Sequence, residues 1–93
     1  MPYKIRAHVI VKGLVQGVFF RQNLYERAKA RDLTGWVKNR EDGSVEAVIE
    51  GPQSKVKELV EWCKKGPTAS RVEDVKITYE AFQDEFSDFE IHY

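Results

Sequence analysis

The chain has a single cysteine, Cys63, which excludes an internal disulfide and any cysteine-based metal cluster. No apolar run approaches the roughly 20 residues that a helical membrane span requires. The opening Met1-Pro2-Tyr3-Lys4 lacks the apolar stretch of a secretory signal. An intracellular, cytoplasmic protein is therefore expected. Net charge is also missing: 15 basic residues balance 15 acidic ones, so binding of nucleic acid through overall charge is not expected. There is no internal repeat, linker or low-complexity tract. Asparagine, methionine and cysteine are scarce beside many ion-pairing residues, a combination that points to heat tolerance. The remainder is 93 residues at 42% hydrophobic and 32% charged, enough for one domain spanning residues 1–93 with a single modest core.

Apolar periodicity divides that domain into elements. Ile5, Ala7, Val9 and Val11 alternate with polar residues up to Lys12, as in a strand with one buried face. Ile10 breaks the alternation and is expected near an edge. A helix is predicted from about Arg21 to Arg31, with Phe20, Leu24 and Ala28 on one stripe and Leu33 packing past its end. A second strand covers Thr34 to Arg40. The turn pair Asp42-Gly43 leads into a third strand with Val45, Ala47 and Ile49 on one face. A second helix should start after Gly51, with Pro52 where a missing N–H costs nothing. Its stripe is Val56, Leu59, Val60 and Cys63, and Gly66-Pro67 stops it. A fourth strand runs from Arg71 to Tyr79 and a short fifth from Phe89 to Tyr93. The order is β-α-β-β-α-β plus a terminal strand. That is an α+β, ferredoxin-like sandwich: an antiparallel sheet covered on one face by two helices.

Topology then brings two distant segments together. A right-handed crossover makes the first and second strands point the same way with the third between them. Gly13 and Asn39 end those two strands, about 10 Å apart, or twice the usual strand spacing. Gly13-Leu14-Val15-Gln16-Gly17-Val18-Phe19-Phe20-Arg21 is a glycine-bracketed loop entering a helix. Glycine allows the positive φ values that turn successive N–H groups toward one point. The helix start adds unpaired N–H groups and a partial positive charge, and Arg21 adds a planar cation suited to phosphate. Gly13, Val15, Gln16, Gly17, Val18, Phe19 and Phe20 thus make a candidate anion cradle. Lys12, Lys38 and Arg40 fall near the same edge, partly offset by Glu41 and Asp42.

These runs, Gly13 to Arg21 and Gly35-Trp36-Val37-Lys38-Asn39, resemble the paired signature of the acylphosphatases. Asp42-Gly43-Ser44-Val45-Glu46, Glu50-Gly51 and Ser70-Arg71-Val72 are also similar to family segments, so the likeness extends from about Ile5 to Tyr93. The resemblance implies hydrolysis of the carboxyl-phosphate bond of small acyl phosphates, with no metal or organic cofactor. It implies that Arg21 holds the phosphate and that Asn39 orients the attacking water. Two departures stand out: Phe19 is bulky at a variable position, and Ser44 stands where threonine is frequent.

Such chemistry is reasonable on its own terms. The carboxylate of an acyl phosphate leaves readily, so positioning and charge stabilisation suffice. Asn39 can accept a hydrogen bond from water through its carbonyl oxygen. No cysteine or serine stands beside the cradle to form a phospho-enzyme, and Cys63 belongs to the core. His8 and His92 read as structural strand residues, Trp36, Trp62 and the tyrosines as core or core-rim aromatics, and Arg71 as a sheet cap or ion-pair partner. Rival readings are a non-catalytic anion module, a regulatory domain of a larger carbamoyl-phosphate-using protein, and an RNA-binding domain. The last would need aromatics on the open face of the first and third strands, where Arg6, His8, Ile10, Glu46, Val48 and Glu50 stand instead. The expected partner is a small acyl phosphate, not nucleic acid. The expected state is a monomer, although an exposed final strand could pair with a neighbour.

Overall fold

Every second side chain of the first strand is removed from water: Ile5, Ala7, Val9 and Val11 are buried beneath two helices. The computed structural model describes residues 3–93. Its elements are β1 (Lys4–Leu14), α1 (Phe20–Ala30), β2 (Thr34–Asn39), β3 (Val45–Pro52), α2 (Gln53–Cys63), β4 (Arg71–Ala81) and β5 (Phe89–His92). The sheet order is β4-β1-β3-β2-β5. Phe20, Leu24 and Ala28 of α1, and Val56, Leu59, Val60 and Cys63 of α2, close the core as their spacing predicts. Each fully buried Leu, Val or Phe contributes roughly 1.5–3 kcal/mol. Burial pushes the Cys63 thiol up to about 12, so it stays protonated in the core. Among the described residues no helix is long and apolar enough to cross a membrane.

Several boundaries differ from expectation, each for a local reason. α1 begins at Phe20, because Phe19 already caps it. Pro52 is extended, at φ −56 and ψ 135, and ends β3 opposite Lys4; it caps α2 instead of forming its first turn. β4 continues to Ala81 because its register with β1 runs down to Ile5. The first four strands are antiparallel, but β5 pairs parallel with β2, so the sheet is mixed. β1 lies inside the sheet, and half-buried Ile10 is on the outer face between Glu46 and Lys76, away from any edge.

The outer face is also less open than alternation suggests. Glu50 is completely buried. Its carboxylate accepts hydrogen bonds from the backbone N–H groups of Gln83 (2.8 Å) and Glu85 (3.2 Å), and from Arg6 at 3.4 Å. Arg6 also reaches Glu85 at 2.6 Å and lies over the Phe86 ring. Residues 82–88 therefore pass over one end of this face. Val48, between His8 and Trp36 in register, is buried too. His8 Nε2 lies 2.6 Å from Glu46, and His92 stacks on Trp36. Trp62 packs on Phe20, but Tyr3, Tyr79 and Tyr93 are exposed and do not belong to the core rim.

Candidate active site

The loop after β1 takes its shape from two glycines and one strained residue. Gly13 sits at a register shift between β1 and β4, at φ 129. A Cβ there would fall 2.2 Å from the Arg71 carbonyl oxygen, so only glycine lets the strands approach this closely. Gly17 turns the chain at φ 77, with nothing within 4 Å of where a Cβ would stand. Phe19 is left-handed as well, at φ 64 and ψ 22, and forms the N-cap of α1. Its carbonyl oxygen accepts from both the backbone and the side-chain nitrogen of Asn23, each at 2.9 Å. Phe19 makes no side-chain cap hydrogen bond. The N–H groups of the first turn of α1 consequently have no partner within the helix, and they carry its positive dipole end.

Asn39 approaches from the other strand. Val11 of β1 and Asn39 of β2 both register with Val45, on opposite sides of β3. The start of the loop and the end of β2 are thus two strand spacings apart, as the topology predicts. Gln16 ties them together: its amide nitrogen donates to the carbonyl oxygens of Arg40 (2.7 Å) and Ser44 (2.9 Å). The turn itself is closed by Asp42, which accepts from the backbone N–H of Ser44 at 3.0 Å and from its hydroxyl at 2.5 Å. These bonds, followed by the nearby charges of Arg40 and Lys12, hold the Asp42 carboxyl below its ordinary range. Lys12 and Arg40 therefore share one corner. Lys38 lies above the Trp36 ring, 3.9 Å from Glu46.

Between loop and strand end lies a cavity of about 480 Å³. Arg21 and Asn39 both line it, with Val15, Gly17, Phe19, Phe20 and Gln22. Asn39 Oδ1 is buried, and no hydrogen-bond donor among the described residues reaches it. The ion pairs of the described residues engage Arg6, Lys29, Arg31, Lys38 and Lys64, but not Arg21. The Arg21 guanidinium instead lies over the ring of Tyr93, 4.8 Å from its centroid. Gly13, Gln16 and Val18 do not line the cavity: Gly13 packs on β4, Gln16 braces the turn, and Val18 packs on the core. Gln22, Asn23 and Tyr93 are the residues that sequence reasoning passed over. Asn23 carried a signal, because a side-chain amide four residues after a helix cap can reach back to it; Tyr93 carried none. Among the described residues no three His, Cys, Asp or Glu side chains gather closely enough to hold a metal ion.

Fold and cavity together define a ferredoxin-like α+β domain with its candidate site where β1 and β2 end. Solved structures share that architecture. The acylphosphatase of Bacillus subtilis superposes with a TM-score of 0.90 at 40% identity, over 96% of this chain and 99% of that one. An acylphosphatase from Coxiella burnetii gives 0.90 at 38%, over 97% and 94%. A curated relative named acylphosphatase, from Pyrobaculum islandicum, is 51% identical over 88 residues, which is 94% of this chain and 93% of the relative. The sequence profile of the acylphosphatase family matches residues 7–91. The chain belongs to the acylphosphatase family.

Proposed function

We propose that Arg21 and the loop backbone hold the phosphoryl group of an acyl phosphate while Asn39 aims the water that cleaves it. As a member of its family, the chain is an enzyme that hydrolyses acyl phosphates; the assignment of residues is the proposal. One observation carries it. Arg21 and Asn39, from different elements, line the same cavity, and the Asn39 oxygen in question has no donor among the described residues. A buried acceptor without a partner costs free energy unless something donates to it, and a water held for attack would do so.

Unpaired N–H groups at the start of α1 and around Gly17 bind the phosphate oxygens, and Arg21 neutralises their charge. Water attacks phosphorus; the bond between phosphorus and the acyl oxygen breaks, and the carboxylate departs with its electron pair. The water's proton passes to solvent. Asn39 orients this water and does not deprotonate it, which suffices because the leaving group is good. The turn braced by Gln16 keeps Asn39 in place, and Lys12, Lys38 and Arg40 favour approach of an anion.

Phosphate release from acetyl phosphate or benzoyl phosphate, measured with a chelator present, tests the reading. Arg21→Gln should lower turnover by about 10²–10³ and weaken competitive inhibition by inorganic phosphate. Asn39→Ala should lower turnover while inhibition by phosphate stays near the parent value. Less than a twofold loss in Arg21→Gln would remove Arg21 from the site.

A further inference from the structure

Phosphate chemistry leaves Phe19 unexplained. The residue is 75% exposed, although phenyl rings gain free energy by leaving water. Its backbone is left-handed, which residues with bulky side chains avoid. Two unfavourable features coincide on one residue. Such strain persists where the surroundings impose it, and here the paired hydrogen bonds from Asn23 fix the Phe19 carbonyl. Asparagine or glycine would adopt the same backbone at less cost, so the geometry accounts for the turn but not for the ring.

The ring's surroundings supply a reason. Phe19 lines the cavity that holds Arg21 and Asn39. Val15 and Phe20 add apolar wall, but both are buried, so Phe19 is the apolar group at the solvent end. The 480 Å³ of that cavity lies within the span of sites for small organic molecules, about 300–1,000 Å³. A phosphate group fills only part of it. The space that remains, faced by a phenyl ring, suits the organic portion of the substrate.

We infer that Phe19 is a specificity-determining residue whose ring packs against the acyl group. With the hydrolase reading above as its premise, it favours acyl phosphates bearing an aromatic or extended apolar acyl portion over acetyl or carbamoyl phosphate. The phosphate end is read by charge and amides, the acyl end by the exposed ring of Phe19; Tyr93, also exposed, lies against Arg21 and does not line this cavity.

The test compares kcat/KM for benzoyl phosphate and acetyl phosphate in the full chain, in Phe19→Asn and in Phe19→Trp. Asparagine accepts the left-handed backbone and removes the ring; tryptophan keeps an aromatic face. The benzoyl-to-acetyl ratio should fall roughly five- to tenfold in Phe19→Asn and stay within about twofold of the parent in Phe19→Trp. An unchanged ratio in Phe19→Asn, or an equal fall in Phe19→Trp, overturns the inference while leaving the hydrolase reading intact. Hydrolysis of neither compound by the unaltered chain overturns both.

Discussion

Asp42 closes the turn beside Asn39 with one oxygen, and that contact has a pH signature. Its hydrogen bonds from Ser44, then Arg40 and Lys12, favour the carboxylate in the folded chain. A carboxyl whose pKa is depressed by folding contributes stability that is complete above its unfolded value, about 4. The contribution disappears as pH falls through the lower folded value. Asp88, held down chiefly by Lys29 and also by the Phe89 N–H, behaves in the same sense. Asp42→Asn can keep the acceptor but loses the charge, so its urea midpoint should fall less steeply than the parent's below about pH 4. Parallel acid slopes would mean that Asp42 titrates alike in both states. Residues of this kind differ in how plainly a sequence announces them. Asp42-Gly43 reads as a turn at once, whereas the left-handed Phe19 is marked only by Asn23 four residues on, whose amide reaches back to its carbonyl.

Gln16 works between elements. Its two donated bonds couple the loop after β1 to the turn after β2, so the cradle and Asn39 keep a fixed separation. Removing the amide should let the two drift. Gln16→Ala is expected to lower kcat by about ten- to a hundredfold, since small misplacements of reacting groups are costly. The accompanying loss of stability should be about 1–3 kcal/mol. Gln16→Glu should be worse, because a carboxylate cannot donate to two carbonyl oxygens. Steady-state kinetics alongside urea unfolding check both, and a kcat for Gln16→Ala within twofold of the parent would show the brace to be idle. Strands and helices were legible from periodicity, as Ile5-Ala7-Val9-Val11 and Phe20-Leu24-Ala28 attest. The nearness of the Gly13 loop to Asn39 followed from strand order, and the resemblance to the acylphosphatases named Arg21 and Asn39 as the pair that meets there. The partner of the Gln16 amide was not legible, because a side chain's target lies in three dimensions and leaves no local pattern. Pro52 misled for the opposite reason: its local preference for a first helical turn yields to pairing of β3 with Lys4.

For the whole molecule, the decisive contact is far from the cavity. Glu50 is buried, held by part-buried Arg6 and by two backbone donors of the segment that joins β4 to β5. Periodicity placed Glu50 on an open face; the cover comes from residues 82–88, too distant in sequence for any window to register. Removing the cation beside a buried carboxylate costs about 3–5 kcal/mol, and the lower end applies here because Arg6 is only part-buried and Glu50 keeps its two backbone donors. Arg6→Ala should therefore lower the melting temperature by more than about 10 °C in a domain of this size, as calorimetry would record; a shift below about 3 °C would contradict the pairing. The position of the carboxylate's partners also bears on how freely the chain can change. Glu50 grips the main chain of Gln83, and every amino acid except proline offers that same N–H. Random replacement at position 83 should yield folded variants almost throughout, with proline the outstanding failure, while position 50 should accept scarcely any substitute.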